Sequence, residues 1–282
     1  MAGAVAPEVK RPPEVEVIVM PDHTHLPDSD GAMVENFLEH PQSMLLTDAI
    51  LPVLRRLHPD ENFCIGQNSA IYWKFTNPPF DGSKAPDWYY VPNRPPLLEG
   101  RIRRSYVLWQ EIIAPTVVIE YVSGDGSEER DQTPYQGKFW VYEQAIRAPY
   151  YVIFDPFRKT LSVFRLDGGH YQPVTPNERG HYPIGPLGVE LGLWQGKYLN
   201  QELTWLRWWD ANGNLLPNHE ERIEQEQQRA EQEQQRAEQE RQRAQQEQRR
   251  AEQERQRAEQ EQQRAQKLAD RLRELGVDPD QV

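Results

Sequence analysis

Thr116-Val117-Val118-Ile119-Glu120-Tyr121-Val122-Ser123 is a β-branched and aromatic run with one carboxylate set in its middle. The composition predicts a buried strand. A lone ionised carboxylate is costly to bury away from water, so Glu120 demands a compensating metal ion or cation. Upstream, Ala85-Pro86-Asp87-Trp88-Tyr89-Tyr90-Val91 puts a second acid at the head of another strand-like run. Downstream, Lys138 falls on a predicted helix. Two carboxylates on neighbouring strands with a lysine close by form a hard-cation site suited to phosphodiester hydrolysis.

The composition of the 282-residue chain shifts sharply near residue 218. Before it lie all eight Trp, all twelve Tyr, the single Cys and nearly all the Pro and Gly, enough apolar material for a compact core. Beyond it the chain is almost wholly Glu, Gln, Arg and Ala. The expected organisation is a loose N-terminus over 1–13, a globular domain over 14–218, a long charged helix over 219–275 and a short tail over 276–282. Basic and acidic side chains number 19 and 27 before residue 220, and 13 and 15 over 220–275. That balance argues against coating nucleic acid by bulk charge. It leaves room for a nuclease, because a carboxylate metal site is acidic until cations load. Arg94, Arg101, Arg103 and Arg104 form a local basic patch that would meet a phosphate backbone or decorate an exposed loop. A lone Cys64 excludes an intrachain disulfide, and no export signal or membrane span is evident, so the expected setting is cytoplasmic.

The pattern predicts a strand over 15–20, a polar turn over 27–31 and a helical stretch over 35–57, with Pro41 in a first turn and Pro52 as a kink. Strands follow over 63–65, 69–75, 87–91, 105–111 and 116–122. Next come a helix over 134–148 opened by Pro134, then strands over 150–154 and 160–166. Residues 171–216 read as loop-heavy with short strand pieces. Their Trp194, Trp205, Trp208 and Trp209 read as core rather than as a stacking platform for bases. The element order is that of an α/β or α+β sheet covered by helices.

In the tail, Ala230, Ala237, Ala244, Ala251, Ala258 and Ala265 share one heptad position, and Arg229 to Glu233 begins a series of i,i+4 ion pairs. A helix of about 56 residues would run about 84 Å. The second seam position is Gln, Glu or Arg, so a solvated single helix and an alanine-seamed coiled coil both fit, the latter giving a homo-oligomer or a protein partner.

Pro86-Asp87, Val118-Ile119-Glu120-Tyr121-Val122-Ser123, Lys138-x-x-x-Tyr142 and Tyr150-Tyr151-Val152-Ile153-Phe154-Asp155-Pro156 occur in that order. This series resembles the successive motifs of the "putative restriction endonuclease" family within the PD-(D/E)xK nuclease superfamily, over roughly residues 20–215. The resemblance implies a restriction-endonuclease-like mixed β-sheet core flanked by helices. It also implies a DNA endonuclease dependent on Mg²⁺, with Mn²⁺ able to substitute. Asp87 and Glu120 would bind the metal, joined by Glu35 on the first helix, with Glu39 a poorer match, and by the backbone carbonyl of Tyr121. The superfamily's acid-x-Lys lysine is replaced here by Val122, and the resemblance moves the role to Lys138, braced by Tyr142. Structural readings stand beside these: Asp87 as a strand-entry residue, Glu120 and Lys138 as a fold-stabilising pair, and the protein as a DNA-binding or coiled-coil scaffold without turnover.

Overall fold

The computed structural model describes Met20, Asp22, His25 and residues 37–274. The expected strand over 15–20, apart from Met20, the turn over 27–31 and Glu35 lie outside the described residues. The chain divides into two compact units, Met1–Asn218 and His219–Val282.

The first unit is built from α1 (Glu39–Leu57), β1 (Phe63–Gly66), β2 (Ile71–Tyr72), β3 (Ser83–Lys84), β4 (Trp88–Pro92), β5 (Leu97–Leu98), β6 (Arg101–Ile102), β7 (Tyr106–Val107) and α2 (Leu108–Glu111). It continues through β8 (Val117–Tyr121), α3 (Lys138–Trp140), β9 (Tyr150–Asp155), β10 (Thr160–Asp167), β11 (His170–Pro173), β12 (Tyr182–Ile184), β13 (Val189–Tyr198) and β14 (Gln201–Asp210). Its centre is a six-stranded sheet ordered β1-β4-β8-β9-β10-β11. All its pairings are antiparallel except β8 with β9. A parallel step needs a crossover, and the helical segment that starts at Lys138 lies within it.

Strand alternation sorts the core onto two faces. Trp88, Tyr90, Val117, Ile119, Tyr121, Val152 and Phe154 pack with Leu46, Ile50 and Leu54 of α1 and with Leu191, Leu206 and Trp208 of the β13–β14 hairpin. The opposite face carries Tyr89, Val91, Val118, Val122, Tyr151 and Ile153 against Phe139, Val141, Tyr142 and Ile146. Complete burial of a side chain such as Leu46 contributes about 1.5–3 kcal/mol. Fully buried Gln42 ties α1 to β14 by clasping both the N–H and the C=O of Leu206, at 2.9 and 2.8 Å.

Several elements depart from the sequence reading. Residues 69–75 form only the two-residue β2, and 105–111 split into β7 and the helical turn α2. The helix expected from Pro134 begins at Lys138 instead. Gly137 precedes it because a Cβ there would fall 2.1 Å from the Asp131 carbonyl, the same oxygen that accepts the Phe139 N–H at 3.1 Å. After one α turn it widens into a π-helix over Val141–Ile146. The stretch read as loop-heavy contains β13 and β14, ten residues each and paired along their whole length. Their two-residue turn is Leu199-Asn200, both left-handed at φ 43° and 65°, the geometry of a type I′ hairpin. Trp205 and Trp208 are fully buried, as a core role requires, whereas Trp194 and Trp209 are only half-buried.

The second unit is α4 (His219–Glu274), a helix of 56 residues whose positions 223–268 are all exposed. The protein is thus a mixed α/β sheet fold followed by a long C-terminal helix. No helix among the described residues is long and apolar enough to cross a membrane.

Candidate active site

β4 and β8 run antiparallel with Trp88 opposite Ile119. Continued by one step, that register sets Asp87 opposite Glu120, on one face of the sheet. One Asp87 carboxylate oxygen accepts the backbone N–H of Tyr121 at 2.5 Å. In an extended strand the N–H and C=O of one residue leave by the same edge, so the Tyr121 carbonyl also lies on the Asp87 side of β8. Burial and then the neighbouring Glu120 charge push the Asp87 carboxyl up to about 9, with a smaller push from Glu39. A cross-strand acid pair of this kind holds a proton when no metal ion is present.

Glu120 is 1% exposed and fully engaged: Oε1 accepts the Tyr142 hydroxyl at 2.5 Å, and Oε2 faces Lys138 Nζ at 3.1 Å. Lys138 and Tyr142 are four residues apart and reach the same carboxylate from one side of their helix. Lys138 also lies 3.2 Å from Glu128 Oε1 and 3.6 Å from Glu129 Oε1. Burial opposes its charge, but Glu120, Glu128 and Glu129 outweigh that cost and raise its pKa above the ordinary lysine value.

Two contributors, Glu129 and Lys84, were not legible in the sequence. Glu129 is completely buried, and neither carboxylate oxygen has a hydrogen-bond partner. It sits in the polar Gly124-to-Asp131 connection, which carries no periodic signal. Lys84, on β3 and three residues before Asp87, is pulled below the ordinary lysine pKa by burial and by the Lys138 charge, so a second cation adjoins the site. Glu39 is 8% exposed on α1, and its charge acts on both Asp87 and Tyr121. Of the two acids considered near the first helix, Glu39 is the one whose position is described.

Among the described residues no three His, Cys, Asp or Glu side chains converge as a ready-made metal cage. The donor chemistry nevertheless fits Mg²⁺, which is commonly held by one or two carboxylates completed by water and substrate phosphate. Asp87, Glu120 and the Tyr121 carbonyl are oxygen donors of that type. The arginine patch is less open than the sequence suggests, since Arg94 and Arg103 both pair with buried Glu111.

The family described as "Uma2: Putative restriction endonuclease" matches residues 23–203, and the chain belongs to that family. The chain is also similar to the crystal structure of a putative nuclease belonging to DUF820 from Anabaena variabilis ATCC 29413. The identity is 18%, covering 55% of this chain and 76% of that one, with a TM-score of 0.36. No curated protein matches the chain.

Proposed function

We propose that this protein is a Mg²⁺-dependent endonuclease that hydrolyses phosphodiester bonds in DNA. The observation that carries the reading is the Asp87–Glu120 cross-strand pair with Lys138 on its Glu120 side. Asp87 and Glu120 would hold the metal with the Tyr121 carbonyl, and Glu39 adds negative charge from α1. Bound there, Mg²⁺ supplies Lewis-acid charge to the phosphate oxygens and lowers the pKa of an attacking water. Lys138 contributes a fixed positive charge where negative charge builds on the phosphoryl group. Tyr142 holds the other oxygen of Glu120, and Glu128 and Glu129 lie within ion-pair distance of that lysine. The family match over residues 23–203 supports a nuclease of this type.

A second reading, a nuclease fold without turnover that serves as a DNA-binding or coiled-coil scaffold, is favoured by two observations. Glu120 already satisfies Tyr142 and Lys138, and Val122 stands where the superfamily carries its lysine. Mn²⁺ binding followed by electron paramagnetic resonance separates the two. The nuclease reading expects a site that disappears in Asp87→Asn and Glu120→Gln while both variants stay folded. Equal Mn²⁺ binding by all three proteins contradicts it.

A further inference from the structure

Trp73, Lys74, Tyr135 and Trp140 meet at the surface, and the proposed chemistry uses none of them. The chain continues past β2 with the Trp73 and Lys74 N–H groups both directed at the Gly82 carbonyl, at 3.0 and 3.3 Å. The turn before α3 brings the other two side chains to this extension. The rings of Tyr135 and Trp140 are 4.5 Å apart, and those of Trp73 and Trp140 are 6.2 Å apart. Lys74 Nζ lies 4.4 Å from the centre of the Trp73 ring and 5.8 Å from that of Tyr135.

Tyr135 is the unusual member. It is 62% exposed, and its backbone is left-handed at φ 64°, a conformation that a bulky side chain adopts only at a cost. A large ring held at a strained position and left mostly in water is not explained by packing, and strain of this kind gathers at ligand-binding sites. Trp73 and Trp140 are half-buried and pack against the second face of the core, so they form a fixed backing for the exposed ring.

The charge indicates what that ring meets. In a chain of net charge -12, no carboxylate among the described residues pairs with Lys74. An unneutralised ammonium repels a cationic occupant and suits an anion that also carries a flat apolar ring, which is the chemistry of a nucleotide. The location agrees with this. Tyr135 and Trp140 flank Lys138 in the chain, and Lys138 reaches Glu120. Lys84, which senses the Lys138 charge, stands opposite Ile71 on the strand paired with β2.

We propose that the open face of Tyr135, backed by Trp140, stacks a nucleobase of an unpaired DNA strand, while Lys74, held against Trp73, meets a phosphate of the same strand. The choice of DNA rests on the nuclease reading; the stacking chemistry does not.

The test measures binding by full-length wild type, Tyr135→Gly, Tyr135→Phe and Lys74→Gln in EDTA, where metal-dependent cleavage does not enter. The probes are a short oligothymidylate and an abasic strand of the same length. Wild type should prefer the strand with bases by about fivefold or more, the effect of one stacked base. Tyr135→Gly places a residue suited to φ 64°, so it should melt no lower than wild type yet bind both strands alike. Tyr135→Phe should keep the preference. Lys74→Gln should weaken both strands and shrink the slope of log K on log salt by about 0.7. A wild type without the preference, or a Tyr135→Gly variant that keeps it, overturns the platform. Loss of the preference in Tyr135→Phe overturns stacking as its cause, and an unchanged salt slope in Lys74→Gln overturns the phosphate contact. Tighter binding of an oligouridylate than of the oligothymidylate overturns DNA as the strand. A preference lost in Tyr135→Gly, in a wild type that never cleaves with Mg²⁺, keeps the platform and removes the nuclease reading; cleavage by a wild type without the preference does the reverse.

Discussion

Lys138 Nζ lies 3.1 Å from Glu120 Oε2 although the two residues are separated by a connection and the start of a helix. A lysine ammonium thus reaches Glu120 through space and not from a neighbouring position in the chain. Glu120 is nearly inaccessible and Lys138 is 17% exposed, so this is a buried pair. Replacing Lys138 by Met should abolish cleavage and lower stability by about 3–5 kcal/mol, the usual cost of stranding one buried partner. Denaturant unfolding and activity measured on the same sample check this. Full activity with the stability loss alone would reduce Lys138 to a structural residue.

Asp87 has its carboxyl pushed up to about 9 by burial and by Glu120, so at neutral pH it carries a proton that a metal must displace. Metal affinity should therefore rise with pH, by about tenfold per unit below pH 9. Calorimetry of Mg²⁺ or Mn²⁺ binding in buffers of different ionisation enthalpy should record about one proton released. A pH-independent affinity would contradict the protonated pair.

Glu129 has its pKa raised above 4.5, chiefly by burial. The folded state keeps that proton where the unfolded state has lost it, so this residue makes stability fall as pH rises above about 4.5. Glu129→Gln removes the effect. The variant should melt above wild type at pH 8, with the gap closing towards pH 4. A variant that melts below wild type at pH 8 would show that attraction to Lys138 outweighs desolvation.

Gln42 makes two hydrogen bonds to the backbone of Leu206 from a fully buried position. Gln42→Leu should leave a strand donor and acceptor unpaired, at a cost of about 2–5 kcal/mol. The expected fall in melting temperature is roughly 5–15 °C. An unchanged melting temperature would mean that α1 is not fixed to β14 by this clasp.

The central sheet was readable because β4, β8 and β9 are buried on both faces and so appear as near-continuous apolar runs, with Asp87 just ahead of β4 and Glu120 inside β8 standing out. The β13–β14 hairpin was not. Gln195, Gly196 and Lys197 interrupt its apolar residues, and its Leu199-Asn200 turn lacks the Asn-Gly or Asp-Gly signal. Pro134 suggested a helix start, but a backbone carbonyl contact fixes the first turn at Gly137. Glu129 was obscure for a similar reason: it sits in a polar stretch, and only the tertiary fold buries it, whereas Glu39 was named as the poorer match for the first-helix acid.

The most direct test of the nuclease account is the nicking of supercoiled plasmid DNA in Mg²⁺ by wild type, Asp87→Ala and Glu120→Ala, each shown to be folded. The account predicts conversion to nicked or linear DNA by wild type, abolished by EDTA and reduced at least a hundredfold in both variants. Cleavage that persists in the acid variants, or a folded, metal-loaded wild type that leaves plasmid and single-stranded DNA intact, would contradict it.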